Sequence, residues 1–297
     1  MFFYTNLTKI VSIASLIVAA GSQHGSARSV EEILNSGVLR ACVPTANPPD
    51  GEVIPEGCKG YCQYEGIIGD LVQTFAESLD LTPEYFVQSW DELFHNADGV
   101  THKEASYTPI ALEKQQCDMV GAVMVALDWR LQKIDMDCFL PSRMMVVSRK
   151  DRQHEFKSAE DLAGRTVSVE QNMYLHTWIE DQNAGPFQDN PIEIQFRPYD
   201  QSIPAVDAGD VDFTVVSVLD ALYQTRHFSE DSAAAFAVGP INEGCWGYRK
   251  GDTEMGALIE AFFDKQTVDP KSELNAVWER YYGISFSSFV RLVSSIQ

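Results

Sequence analysis

Basic residues are scarce in this chain of 297 residues. Only 22 lysines and arginines face 43 aspartates and glutamates, which gives a formal net charge of −21 at pH 7. A surface of this sign repels nucleic-acid phosphates and anionic lipid headgroups. We therefore exclude nucleic acid and membrane surfaces as partners. The acidity itself favours solubility or a salty environment and indicates no particular ligand.

Long apolar runs are also lacking. The longest follows Lys9, extends from Ile10 to Ala20 and is too short for a permanent membrane-spanning helix. Small residues come after it, so residues 1–27 have the layout of a secretory signal peptide, with an ordinary apolar helix as the alternative. No cysteine lies at the cleavage region, so we expect no lipid anchor. The mature chain is predicted to be periplasmic.

Catalytic and metal-binding motifs are absent from the sequence. It contains no Gly-x-Ser-x-Gly elbow, no His-Glu-x-x-His pair and no phosphate-binding glycine loop. The histidines have no partners at metal-ligand spacing. We predict no cofactor and no metal, and the sequence shows no internal repeat.

Six cysteines remain after removal of residues 1–27, and an even number in an exported chain indicates disulfides. Six cysteines permit 15 pairings. Cys58 and Cys62 are predicted to form a local bridge, because they close a short loop in a segment rich in glycine and proline. A metal clip is the alternative, disfavoured since no histidine is near. The disulfide candidates are Cys42, Cys58, Cys62, Cys117, Cys138 and Cys245.

Strands and helices alternate along the chain, which is typical of an α/β fold with a mainly parallel sheet. Ser29 is a helix cap before Val30–Asn35, and residues 48–57 predict an irregular loop or hairpin. A polar stretch at 95–107 predicts a surface insertion. A second α/β set occupies about residues 145–238, and two amphipathic helices, Thr253–Gln266 and Ser272–Tyr282, come last.

The segment from Cys117 to Pro141 is the most informative. It predicts a buried strand that ends in a loop carrying Arg130 next to Asp128. A guanidinium at the mouth of a parallel strand is a permanently charged fork suited to a carboxylate. The alternative is a surface ion pair of Arg130 with Asp128 or Asp135.

An ordered series of motifs resembles the family 3 extracellular solute-binding proteins of ABC transporters. It covers about residues 29–283. The motifs are VLRACVP (38–44), YEGIIGDL (64–71), SWDEL (89–93), CDMV (117–120), DWR (128–130), KSAEDLAGRTV (157–167), AGDVD (208–212) and YRKGD (248–252).

The resemblance implies the two-lobe periplasmic-binding-protein fold of type II. Each lobe would be an open, mainly parallel sheet flanked by helices, and the chain would cross between lobes near residues 141–147 and 239–247. Residues 28–143 and 240–297 would form lobe one, and residues 144–239 lobe two. A ligand would lie in the cleft between them.

The resemblance also implies site residues. Arg130 matches the arginine that holds a ligand carboxylate, and Trp90 matches an aromatic that packs on the ligand, with an ordinary core tryptophan as the alternative. Asn172 and Met173 stand at a strand-to-helix turn that favours an anion, with a simple helix cap as the alternative.

The chain departs from the family at several of these positions. Ala122, Val123 and Val125 replace small hydroxyl residues, and Ser217 replaces the acid that holds an α-amino group. Asp220, one turn later, is a possible substitute, with a solvated helix-face aspartate as the alternative. The pocket is therefore expected to be atypical.

Three functions follow from these patterns. The leading hypothesis is a non-enzymatic, monomeric solute-binding protein that passes a small polar solute, amino-acid-like or an organic anion, to an ABC permease or a sensor. A dehydratase on the same scaffold would need a general acid such as Glu170. The LRAC (39–42) and CD (117–118) motifs also resemble binding-protein-like accessory partners of exported quinoprotein dehydrogenases. A murein-cleaving enzyme is not expected, since its catalytic domain would follow the binding domain.

Overall fold

A computed structural model describes residues 28–45, 49–89, 91–94, 109–171 and 173–295. The predicted signal peptide, the polar insertion and two expected ligand-binding residues, Trp90 and Asn172, lie outside these ranges. Within them, no helix combines the length and the apolar character that crossing a membrane requires.

The first part of the chain follows the predicted alternation of strands and helices. The Ser29 side chain accepts a hydrogen bond from the Glu32 amide, and the Glu32 carboxylate accepts one from the Ser29 amide at 2.7 Å, so the predicted cap is confirmed. The elements are α1 (Val30–Ser36), β1 (Val38–Pro44), β2 (Glu52–Ile54), β3 (Gly60–Glu65), α2 (Ile67–Ser78), β4 (Thr82–Gln88), a 3₁₀ turn (Asp91–Phe94), α3 (Ile110–Glu113), β5 (Met119–Val125) and α4 (Asp128–Leu131).

Two long strands then enclose a second α/β unit. They are β6 (Ile134–Arg149) and β10 (Ser232–Arg249). Between them lie 3₁₀ turns (Lys150–Glu155, Ala159–Leu162 and Tyr199–Gln201), β7 (Thr166–Val169), α5 (Tyr174–Ala184), β8 (Glu193–Phe196), α6 (Ser202–Ala208), β9 (Phe213–Ser217) and α7 (Val218–His227). The chain continues with α8 (Thr253–Val268), α9 (Glu273–Tyr282) and α10 (Phe286–Ser295).

The described strands form one continuous sheet in the order β2-β3-β4-β1-β5-β10-β6-β9-β7-β8. β1 is parallel to β4 and β5, and β7 is parallel to β8 and β9. The long antiparallel pair β6 and β10 joins these two parallel sets. The two predicted chain crossings therefore fall inside β6 and β10, and the two predicted sheets meet through these strands. The predicted residue boundaries of the lobes stay a prediction.

All six cysteines form disulfides, and the predicted Cys58–Cys62 bridge is present. The Cys42–Cys117 bridge connects β1 to the chain two residues before its parallel neighbour β5. The Cys138–Cys245 bridge joins the long strands β6 and β10, where its two residues face each other in register. Two of the three bridges therefore link segments that are distant in sequence.

The C-terminal helices cover the largest core. Phe262 and Phe263 of α8 surround Trp246 of β10. The helix α10 was missed by sequence reasoning, although Phe286 and Phe289 occur at helical spacing. Both rings pack on Trp278 of α9. A separate core lies between β7, β9 and α5 in the second unit.

Candidate functional site

A cavity of about 410 Å³ lies beside the long strands β6 and β10. Its walls come from both parallel sets of the sheet: the end of β5 and the start of α2 on one side, and the ends of β7 and β9 with the starts of α5 and α7 on the other. Helix α9 closes one part of the wall. These are the ends of the parallel strands where ligands bind in open α/β sheets.

Arg130, which was predicted to hold a ligand carboxylate, lies in this wall. It belongs to the short helix α4, and only 1% of its surface is exposed. Its Nη1 donates a hydrogen bond of 2.9 Å to the Val125 carbonyl. Its guanidinium carbon lies 4.7 Å from the ring centre of Phe94 and 5.1 Å from that of Trp129. These contacts fix the guanidinium at the end of β5.

Ser217 and Asp220 lie together at the start of α7. The Ser217 hydroxyl accepts a hydrogen bond of 3.1 Å from the Asp220 amide and donates one to Asp220 Oδ2. Tyr199 Oη donates to the same oxygen at 2.6 Å and accepts from the Ser217 amide at 3.2 Å. Asp220 is only 8% exposed, so the solvated-aspartate interpretation is wrong. Burial raises the pKa of Asp220, against the hydrogen bonds from Ser217 and Tyr199.

Asp50 is a cavity residue that sequence reasoning missed. The carbonyls of Pro49 and Asp50 accept hydrogen bonds from the Ile67 and Ile68 amides, which anchors this loop on the free N-terminus of α2. Burial raises the pKa of Asp50 well above its usual range, and the nearby Asp220 carboxylate raises it further. Asp50 occurs in a loop rich in proline and glycine, where no periodicity marks it.

The C-terminal helix α9 adds two more residues that were not predicted. Trp278 and Tyr282, one helical turn apart, both line the cavity and are 1% and 6% exposed. Within the described part of the chain, neither Trp278 Nε1 nor Tyr282 Oη has a hydrogen-bond partner. Burial raises the pKa of Tyr282, with further contributions from Asp50 and Asp220.

The remaining predicted residues have simpler environments. Met173 precedes the first turn of α5 and lines the cavity, while Asn172 beside it and Trp90 lie outside the described ranges. Glu170, the candidate acid of the dehydratase hypothesis, accepts a hydrogen bond of 3.0 Å from the Tyr199 amide. The atypical residues Ala122, Val123 and Val125 lie in the wall and offer no side-chain donor there.

Acidic residues outnumber basic ones in the lining of the cavity. Asp50, Glu170, Asp200 and Asp220 line it, whereas Arg130 is the sole basic residue among its described lining. Much of the remaining wall is aliphatic or aromatic. In the described ranges, no group of three or more histidine, cysteine, aspartate or glutamate side chains is placed to hold a metal ion. The arrangement suits a small solute with apolar and polar parts.

No known protein-family profile matches the chain. It is 25% identical over 214 residues to "Membrane-bound lytic murein transglycosylase F" of Desulfosudis oleivorans. The alignment covers 72% of this chain but only 43% of that protein, so the chain spans less than half of the relative's length.

Solved structures resemble the chain over most of its length. An ancestral amino-acid-binding protein, described as a precursor of cyclohexadienyl dehydratase, matches with a TM-score of 0.66 at 19% identity, over 85% of this chain and 98% of that one. The VFT2 domain of Bordetella pertussis BvgS, as a double mutant, matches at 0.65 and 19%, over 86% and 98%. The arginine-bound, truncated ArgBP of T. maritima matches at 0.62 and 18%, over 80% and 99%.

At these identities the comparisons establish the fold. The long strands β6 and β10, the two parallel strand sets and the cavity beside them agree with it. The chain has the two-lobe α/β fold of the periplasmic binding proteins.

Proposed function

We propose that the protein is an exported, non-enzymatic solute-binding protein that holds a small polar solute in the cavity beside β6 and β10. The observation that carries this proposal is the cavity itself. Its volume of about 410 Å³ suits a small metabolite, and it combines a fixed guanidinium, several carboxylates and an aliphatic wall. Neighbours with this fold include proteins described as amino-acid-binding or arginine-bound.

Of the two solute classes considered from the sequence, the cavity favours the amino-acid-like one. Four acidic residues and one arginine line it, so a cationic group finds more partners there than an anion does. A solute with both charges can place its carboxylate towards Arg130 and its cationic group towards the acidic side chains. In this proposal Arg130 is the carboxylate-binding residue.

The mechanism is closure of the two halves around the solute, with β6 and β10 as the connecting strands. A ligand that contacts both halves binds the closed state more tightly and therefore raises the population of that state. The closed form is then recognised by the permease of an ABC importer or by a sensor.

Two alternatives remain as hypotheses. The Cys42–Cys117 disulfide joins the two motifs that resemble accessory partners of quinoprotein dehydrogenases, and such a partner would bind no classical ligand. The dehydratase hypothesis needs Glu170 as an acid, yet its carboxylate is engaged with the Tyr199 amide. Murein cleavage, named for the longer curated relative, stays a property of that whole protein.

A thermal-shift screen of the mature chain against amino acids, organic acids, polyamines and small peptides tests the proposal. A ligand bound only by the folded state raises the melting temperature. We expect a carboxylate-bearing amine to give a shift that Arg130→Met greatly reduces. Methionine keeps much of the buried packing of Arg130, which alanine would remove.

The matched control is Arg40→Met, because Arg40 pairs with Glu84 outside the cavity lining and the substitution makes the same change in net charge. An equal loss in both variants, or no loss in Arg130→Met, would contradict the role of Arg130. No shift from any compound would favour the accessory-partner hypothesis.

A further inference from the structure

Helix α7 and helix α9 meet at one edge of the cavity. In the chain α7 lies between the long strands β6 and β10, whereas α9 follows both of them. Leu219 and Asp220 of α7 line the cavity together with Trp278 and Tyr282 of α9. Tyr223, one helical turn after Leu219, lies outside the described lining and contacts α9. This contact joins the second α/β unit to the C-terminal helices by a route other than the connecting strands.

The contact between the two helices is aromatic. The ring centres of Tyr223 and Tyr282 are 6.3 Å apart and their planes cross at 79°, which is an edge-to-face arrangement. On its other sides the Tyr223 ring lies 4.5 Å from the ring of His227 and 5.8 Å from that of Phe228. Tyr223 packs on the apolar cluster that contains Tyr282, and not on the separate core between β7, β9 and α5.

A charged side chain of α7 reaches α9 at the same edge. Helix α9 ends at Tyr282, and Gly283 caps it with a left-handed φ of 70°. A Cβ atom added at Gly283 would lie 3.9 Å from Nη1 of Arg226. The last carbonyls of a helix carry a partial negative charge, so a guanidinium in this position stabilises the contact. Arg226 is exposed, and its contribution is therefore small and screened by salt.

Both contacts are made between protein side chains, so they form whether or not a solute occupies the cavity. Separation of α7 from α9 would expose the covered parts of the two tyrosine rings to water, which costs free energy. Tyr223 is only half-buried, however, and its contact with α9 is an edge-to-face pair. A contact of this kind favours the closed arrangement and still permits opening.

We infer that Tyr223 and Tyr282 form a latch that holds the two halves closed around the cavity in the ligand-free chain. A closed form that the protein itself favours leaves less free energy for a solute to supply, and it makes opening a step that precedes solute entry. The inference rests on the closure mechanism proposed above, but it concerns the chain without a solute.

The test measures how often the ligand-free cavity opens. Val216 of β9 lines the cavity, is 1% exposed and lies in the half without cysteines, and all six native cysteines are in disulfides. In a Val216→Cys background, the rate of alkylation by a bulky maleimide therefore reports the open fraction. We expect Tyr223→Ala to raise this rate by about 2- to 10-fold, the size of a lost aromatic pair. Tyr223→Phe keeps the ring and should leave the rate near that of the background.

Tyr281→Ala is the matched control. Tyr281 neighbours Tyr282 on α9, but its hydroxyl donates a hydrogen bond of 3.0 Å to Asp70 of α2, which lies in the same predicted lobe. Its substitution removes an equal side chain without touching the contact with α7. An unchanged rate in Tyr223→Ala, or an equal rise in Tyr281→Ala or Tyr223→Phe, would overturn the latch.

Failure of the latch and failure of the proposed function give different results. Solute binding in the thermal-shift screen together with an unchanged alkylation rate in Tyr223→Ala would remove the latch alone. A faster rate in Tyr223→Ala without any bound solute would support the latch and remove solute binding. The alkylation experiment needs no solute, so the two tests are independent.

Discussion

The two halves of the molecule anchor one strand to its neighbour in the same way, but the pKa of the anchoring aspartate is raised in one half and lowered in the other. In each half an aspartate stands directly before a parallel strand and binds the backbone of the neighbouring strand. Asp118 precedes β5 and accepts a hydrogen bond of 2.8 Å from the Arg40 amide of β1. Asp212 precedes β9 and accepts one of 2.9 Å from the Thr166 amide of β7. The aspartates of two motifs that carry the family resemblance, CDMV (117–120) and AGDVD (208–212), therefore each bind a neighbouring strand.

The surroundings of the two aspartates differ. The Asp118 side chain is fully buried, its Oδ1 has no partner in the described chain, and its nearest cation, Arg28, is 3.4 Å away. The Asp212 side chain is 23% exposed and lies 2.8 Å from Arg152. Burial acts to raise both pKa values. It prevails at Asp118, whereas the hydrogen bonds from Thr166 and Arg152 lower the pKa of Asp212.

Covalent bridges divide the halves in the same way. All three disulfides lie in residues 28–143 and 240–297, the predicted lobe one, and residues 144–239 contain no cysteine. In place of bridges, the predicted lobe two has ion pairs around Glu155, whose carboxylate lies 2.9 Å from Arg152 and 2.8 Å from Arg165. Hydrogen bonds from these arginines lower the pKa of Glu155 to about 2. Disulfides therefore constrain one half of the molecule, whereas ion pairs contribute in the other.

Removal of disulfides should give the largest effect. The Cys138–Cys245 bridge closes 107 residues and the Cys58–Cys62 bridge closes 4. The chain-entropy model gives about 5 kcal/mol for the long loop and about 2 kcal/mol for the short one. We expect this order of stability loss when each pair is changed to serine, measured by urea unfolding of the mature chain. Equal losses from the two double variants would contradict the loop-length argument.

Loss of charge at the two strand-anchoring aspartates should have a smaller effect. At pH 7, Asp212→Asn removes the negative partner of Arg152, and we expect a loss of about 2 kcal/mol in the free energy of unfolding. Asp118→Asn keeps an acceptor for the Arg40 amide and relieves a buried charge, so we expect about 1 kcal/mol or less. Each variant is the other's control in urea unfolding. A larger loss from Asp118→Asn than from Asp212→Asn would contradict the expected difference between the two aspartates.

Local patterns in the sequence predicted much of the fold. The order of strands and helices, the Ser29 cap and the position of Arg130 at the end of β5 follow from periodicity, capping and motif spacing. The Cys58–Cys62 bridge was predicted because its partners are adjacent in sequence. The two long-range bridges were not assigned, since pairing of distant cysteines depends on which strands become neighbours.

The cavity was predicted less completely for the same physical reason. Asp50 comes from a loop without periodicity, and it lines the same cavity as Asp220 only because β1 and β9, which run in opposite directions, end towards each other. Trp278 and Tyr282 lie on an amphipathic helix, where the sequence marks the apolar face but not which cavity that face lines. These side chains reach the site through the tertiary packing of α9, which no local sequence pattern indicates.

The pH dependence of stability should show the smallest and most specific difference. Asp118 has a raised pKa in the folded chain, so folding takes up protons above the unfolded value of about 3.9 and its contribution to stability falls as pH rises through the raised pKa. Asp212 has a lowered pKa, so its contribution is complete above about pH 3.9 and is lost as pH falls through the lowered value.

The stability losses of the two asparagine variants should therefore change with pH in opposite directions. Relative to the unsubstituted chain, the loss in Asp212→Asn should shrink as pH falls below about 4, because the unsubstituted chain then loses the same charge. The loss in Asp118→Asn should shrink as pH rises, because the unsubstituted chain then carries an unfavourable buried charge. Urea unfolding at several pH values between 3 and 7 measures both profiles. Parallel profiles would show that the two anchors share one electrostatic environment, against the difference in burial and ion pairing described above.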